Sequence, residues 1–227
     1  MNETLKYIII TGIFTVTLIS LYFFDFIKYY FLKKQQIKFK NFAVINRGEY
    51  KKNNRKFYKE FNDYNFKLLK TGDYKKSKNI IKYNKNNLDI IYFEHYIQFG
   101  KRKKANFFNF SAILIKSNLN LPEMFITPNQ STKYKKGLRK IIIKPNSLFF
   151  YKYTIKGKNE NDIKNIFSDD LIYFLNKNSN ISIEINKNIF IIYKSNCIKN
   201  INKINDFINL GLELYELTDK NKVFTDK

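Results

Sequence analysis

Between Lys6 and Asp25 the chain carries no charge: Tyr7 to Phe24 reads YIIITGIFTVTLISLYFF. As a helix rising 1.5 Å per residue this run spans about 27 Å, close to the hydrocarbon thickness of a bilayer. Its polar members, Thr11, Thr15, Thr17 and Ser20, can bond back to helix carbonyls. Tyr7, Tyr22, Tyr29 and Tyr30 stand where an interfacial aromatic belt falls. A cleaved signal peptide would need a basic head and small residues at its exit. Here the head pairs Glu3 with Lys6, and the exit is Leu21-Tyr22-Phe23-Phe24-Asp25. An uncleaved transmembrane helix over 7–24 is therefore expected.

The flanking charge sets an orientation. Lys28, Lys33, Lys34, Lys38 and Lys40 follow the span against Asp25 alone, whereas Lys6 and Glu3 cancel before it. The positive-inside bias then keeps the C-terminal side in the cytoplasm, giving a single-pass membrane protein with a cytoplasmic C-terminal domain. The expected divisions are a short tail at 1–6, the span at 7–24, a basic helical neck at 25–62, an α+β domain at 63–220 and a tail at 221–227. In the neck Phe42, Ile45, Tyr50, Phe57, Tyr58 and Phe61 recur at loosely helical spacing between basic residues.

A chain of 227 residues has room for one span and one domain, and 44% hydrophobic residues suffice for a core. The formal charge of +23 is what a polyanion binder would carry. Yet among 42 basic residues only Arg47, Arg55, Arg102 and Arg139 are arginine. The abundance of Lys, Asn, Ile, Phe and Tyr is what an AT-rich coding sequence produces. A reader of phosphates and guanines favours the planar arginine fork, so nucleic acid is disfavoured as a partner. The single cysteine, Cys197, permits neither an internal disulfide nor a cysteine zinc site.

Beyond the neck the pattern turns to short β-prone runs: Phe66–Lys70, Asn79–Tyr83, Leu88–Phe99, Asn106–Lys116, Met124–Thr127, Leu138–Lys144 and Leu148–Lys156. Leu88–Phe99 and Asn106–Lys116 make the clearest hairpin, with Gly100-Lys101-Arg102-Lys103 at its tip. Asn159, with Asp162 three residues on, predicts a helix start carrying Ile163, Ile166 and Phe167. Ser168 predicts a second, bearing Leu171, Phe174 and Leu175. Ile181–Ile185 and Ile189–Tyr193 read as a hairpin across Asn186-Lys187-Asn188, followed by a helix with Ile201, Ile204, Ile208 and Tyr215 on one face. The expectation is an α+β domain on an antiparallel sheet, ending strand, helix, strand, strand, helix.

The runs FFNFSAILIKSNLNLPEMFITP, FYKYTIKGKNENDIKNIFSDDLIYFL and ISIEINKNIFIIYK resemble a family of uncharacterised bacterial membrane-anchored proteins with an α+β domain of this element order. The resemblance covers roughly residues 88–215 and rests on hydrophobic pattern and on turn features such as Leu121-Pro122. It implies element order and membrane association; it implies no activity and no site residue.

Chemistry-bearing positions are few. Glu94 and His95 are adjacent in a strand, so they point to opposite faces and cannot serve one acid–base site. Asp169-Asp170 fits the start of a helix as well as it fits a metal. Lys101, Arg102, Lys103 and Lys104, beside Phe99, Phe107 and Phe108, form the densest basic–aromatic cluster, read either as a head-group contact or as a solubilising tip. No phosphate-binding glycine loop, dinucleotide fingerprint or nucleophile elbow occurs. The expected function is a non-enzymatic interaction or scaffold domain at the membrane, with no cofactor. Its partners are the lipid bilayer and a protein of unidentified kind. The alternatives are a basic peripheral binder of anionic lipid or nucleic acid, using Lys28, Lys33, Lys34, Lys38, Lys40 and the hairpin tip, and a hydrolase with unrecognised acids.

Overall fold

The structure, a computed structural model, describes residues 3–54, 57–101, 104–129, 138–145 and 147–223. Its first element, α1 (Glu3–Ile45), runs without a break from the apolar run through most of the neck. The helix ends in a Schellman motif: Gly48 N–H donates to Ala43 O at 2.8 Å and Arg47 N–H to Val44 O at 3.0 Å. Arg47 sits in the left-handed region at φ 53. At Gly48 any side chain would strike the Lys82 carbonyl, so glycine lets the chain turn close against the sheet.

The neck is thus not helical throughout. After the turn, β1 (Glu49–Asn53) adds an edge strand to the sheet, pairing Tyr50 with Ile81 of β2 (Tyr74–Lys85). Two short helices follow β1, α2 (Phe57–Glu60) and α3 (Lys67–Lys70), with a 3₁₀ turn at Asn62–Tyr64 between them. The run expected as a strand at Phe66–Lys70 is helical at α3 because a distant carboxylate, that of Glu184, caps its first amides.

β3 (Leu88–Phe99) and β4 (Asn106–Pro128) form the expected hairpin in unbroken register from Asp89↔Lys116 to Phe99↔Asn106. β4 is longer than expected, absorbing Met124–Thr127. β5 (Arg139–Ile141) is shorter, the chain reaching a positive φ at Lys144 before Pro145. The run at 148–156 splits into α4 (Leu148–Lys152), whose N-cap Ser147 Oγ accepts from Phe150 N–H, and β6 (Tyr153–Gly157). Helices α5 (Glu160–Ile166) and α6 (Asp169–Lys177) start at the predicted caps Asn159 and Ser168. The hairpin expected over 181–193 is one strand, β7 (Ser182–Ser195), and α7 (Ile201–Val223) closes the fold.

All seven strands join one antiparallel sheet in the order β1-β2-β3-β4-β6-β5, with β7 also on β4. Both halves of β7 pair with β4 rather than with each other. From Lys116↔Ile189 to Leu121↔Lys187, β4 advances five residues while β7 retreats two. The excess bulges out, and Lys187 at φ 55 bends β7 instead of reversing it.

Both faces of the sheet are buried. One packs against α5, α6, α7 and the end of α1, through Tyr92, Ile113, Ile192, Ile204 and Phe39. The other lies under the 57–70 segment, through Phe57, Phe61, Leu68, Phe93, Leu114 and Ile191. Alternate residues of one strand thus feed two cores, which is why these strands read as continuous apolar runs.

Phe39 couples the long helix to the sheet. It is 1% exposed and stacks on Tyr50 at 6.3 Å and Tyr92 at 6.1 Å between ring centroids. Phe39→Ala should cost about 3–5 kcal/mol of domain stability. Phe31→Ala, on the exposed part of α1, should leave it unchanged. Denaturant unfolding of the full chain in detergent, followed by tyrosine fluorescence, measures both.

Candidate functional site

The apolar run lies on a helix surface that the domain leaves bare. Ile10, Ile13, Phe14, Val16, Ile19, Phe23 and Phe24 are all more than 60% exposed. Thr11, Thr15, Thr17 and Ser20 each donate to a carbonyl three or four residues back, which hides their polarity. By length and composition this is a helix able to cross a membrane, and the described residues hold one such helix.

The five neck lysines are all exposed on α1. At about 100° per residue Lys33 and Lys40 fall on one side, Lys34 and Lys38 on another, and Lys28 between them. They encircle the helix, an arrangement that suits one standing out of a charged surface better than one lying flat on it. At the hairpin tip Lys101 and Lys104 are exposed. Arg102 and Lys103 lie outside the described residues.

Glu94 and His95 fall on opposite faces, as strand alternation requires. His95 is fully buried; its Nε2 donates to Leu68 O at 3.0 Å, which leaves Nδ1 as the acceptor in the neutral ring. Tyr58 Oη lies 3.3 Å from that nitrogen, and Ser77 Oγ donates to Tyr58 Oη at 3.0 Å. Burial pushes the His95 pKa down to about 4, so the ring is neutral. Ser77 Oγ also lies 3.2 Å from His95 Nδ1, but Ser77 is 2% exposed, so the pair is closed off from a substrate carbonyl.

On the opposite face, Glu94 Oε2 accepts from Asn79 Nδ2 and from Tyr96 Oη, both at 2.9 Å. Asn79 Oδ1 in turn accepts from Tyr50 Oη at 2.9 Å, linking β1 to the network. Burial raises the Glu94 pKa. Burial and the nearby Glu94 push the Cys197 thiol up to about 11, and its Sγ donates to Phe110 O at 3.7 Å, so it is a poor nucleophile.

Asp169 and Asp170 occupy the first turn of α6, and Asp169 pairs with Lys144. No cluster of three or more potential metal ligands occurs among the described residues.

The buried carboxylate that sequence reasoning missed is Glu184. It accepts from Lys67 N–H at 2.5 Å, Leu68 N–H at 2.9 Å and Tyr193 Oη at 3.2 Å, beside a cavity of about 190 Å³ also lined by Lys67, Glu123 and Lys158. Burial outweighs these donors and lifts its pKa to about 7. The available signal was an acid inside the apolar run ISIEI.

The residues above make an α+β domain carried on an N-terminal apolar helix, with its buried polar groups tied into the fold. Among solved structures, a similar fold is seen in the crystal structure of the mycobacterial trehalose monomycolate transport factor A, TtfA. The TM-score is 0.59 at 10% identity, over 81% of this chain and 93% of that one. At that identity the likeness concerns the fold. No protein-family model and no curated protein sequence matches the chain.

His95 and Glu184 should move stability with pH in opposite directions. His95, at about 4 folded and 6.5 unfolded, gains its proton on unfolding between those values; its contribution is complete above pH 6.5 and is lost toward pH 4. Glu184, at about 7 folded and 4.5 unfolded, loses its proton on unfolding; its contribution is complete below pH 4.5 and is lost as pH rises to 7. Glu184→Gln should abolish the second slope and keep the first, as read from denaturant midpoints across pH 4 to about 7.5.

Proposed function

We propose that this protein is a single-pass, membrane-anchored, non-enzymatic interaction domain that presents its α+β fold at the cytoplasmic surface of a membrane. The observation that carries the reading is the continuity of α1, apolar and exposed at one end and packed into the core through Phe39 and Ala43 at the other. Between Asp25 and Ile45 there is no glycine or proline, so the domain is held stiffly to the span. The lysine ring at Lys28, Lys33, Lys34, Lys38 and Lys40 favours retention of that side in the cytoplasm.

The non-enzymatic part draws support from the way Ser77, His95, Glu94 and Cys197 are spent on internal hydrogen bonds. The fold is also found in a protein described as a transport factor, which accords with a role in positioning other molecules.

Alkaline carbonate extraction should leave the full-length protein in the membrane fraction. A reporter active only in the cytoplasm, fused after Lys227, should work, and one active only after export should stay silent. Changing the five neck lysines to Gln should give mixed topology. An exported C-terminus in the unmodified protein would overturn the orientation, and release by carbonate would overturn the anchor.

A further inference from the structure

At the β3–β4 end of the sheet two large aromatic side chains face solvent. Phe107 is 70% exposed and Tyr74 58% exposed. They are not scattered: Tyr74 pairs with Gln98 and Gln98 with Phe107, so all three stand in one row on one face. That face is the one α1 docks on, since Gln98, Tyr96 and Glu94 alternate onto the side of Tyr92.

Basic residues surround the row. Lys76, which pairs with Tyr96 on the same face, is half-buried, and Lys101 and Lys104 at the tip are exposed. The neighbouring acid, Asp73, has its Oδ2 engaged by Gly100 N–H at 2.7 Å, which fixes the start of the tip turn where Gly100 has φ 79.

The direction of α1 relates this row to the membrane. Phe42 packs on Tyr83, which pairs with Ile90, while Phe39 packs on Tyr92, which pairs with Ile81. Moving toward its N-terminus, the helix therefore travels the way β3 runs, toward Phe99 and the tip. Gln98 lies six residues beyond Tyr92, about 20 Å along the strand. Along a helix running parallel to β3 about 13 residues would cover that distance, which leads from Phe39 back to Phe26. The aromatic row thus reaches about the level at which the apolar run ends beside Asp25.

We propose that Tyr74 and Phe107, ringed by these lysines, form a second membrane contact. They seat in the head-group region of the leaflet from which α1 emerges, with the lysines on anionic lipid. The contact rests on the reading of α1 as a span. Aromatic rings beside lysines suit this interface, where the lysines are drawn to an anionic leaflet. With the helix as one attachment and the tip as another, the domain is held at a fixed tilt, which leaves α4, α6 and β6, at the far end of β4, directed away from the bilayer.

The test uses the full-length chain with Cys197→Ala, carrying Phe107→Cys or, as a comparison, Tyr173→Cys on α6. Each is labelled with an environment-sensitive fluorophore and reconstituted in vesicles containing lipids that bear a quencher near the head group. Vesicles with about 30% anionic lipid should quench the probe at 107 at least about twofold more than the probe at 173. Purely zwitterionic vesicles, or Lys101→Glu with Lys104→Glu, should remove the difference. Equal quenching at the two positions overturns the proposal, as does a difference that survives both the lipid change and the charge reversals. Shielding of position 107 from aqueous iodide without lipid quenching also overturns it, in favour of a protein contact. If carbonate extraction still retains the protein, such results leave the anchor standing; if it does not, the underlying reading fails instead.

Discussion

The packing of Phe39 between Tyr50 and Tyr92 is the contact on which the arrangement of this protein depends. Without it α1 would be an apolar helix joined to a domain by a basic tether, and the two would move independently. With it the last turns of α1 become part of the core, and β1 is placed as an edge strand by the Schellman turn that follows. The cost of a left-handed Arg47 is about 1 kcal/mol, modest beside the burial of Phe39 and Ala43, so the turn is kept although arginine is not the best residue for it.

The second constraint is a sheet buried on both faces. Where a strand is covered on both faces its polar side chains lose contact with water, so an acid, histidine or serine there must be satisfied within the protein. Glu94, His95, Ser77 and Glu184 all sit on such strands and each finds partners. Among the described residues one buried side-chain atom, Asn176 Oδ1, has none. Catalysis needs polar groups that are held in place and still reach a substrate. Glu94, His95 and Ser77 meet the first condition and are shut off from the second by burial, whereas Glu184 borders a cavity.

The features legible in the sequence were local ones. The apolar run, the extent of β3 and the caps Asn159 and Ser168 follow from periodicity and from a side chain bonding an amide three residues on. What was not legible was settled at long range. α3 is helical because Glu184, more than a hundred residues away, caps it. Asn186-Lys187-Asn188 looks like a reversal, and it becomes a bend because β4 bulges beside it and pairs with both flanks. The neck's strand was hidden because Tyr50 and its lysines have no strong period, and only the neighbouring β2 edge makes an extended conformation favourable. For the candidate site, the lysines could be named from sequence, whereas the row Tyr74–Gln98–Phe107 required the register between three strands.

Net charge alone says little about where such a chain meets its surroundings. Lysine is so common here that a basic cluster can be drawn around many points, and around the neck the lysines encircle the helix without favouring any direction. Direction comes from coincidence with other features. At the hairpin tip the lysines meet two exposed rings, the nearby acid is tied to a backbone amide, and the axis of α1 points the same way. Tyr173 and Tyr151 are as exposed as Phe107 and Tyr74, but they belong to α6 and α4, beside the far end of β4, where Tyr153 pairs with Pro128 and donates to Asn178 O. If the tip lies on lipid, those helices face away from the bilayer, and that side of the fold is the one free to meet a protein.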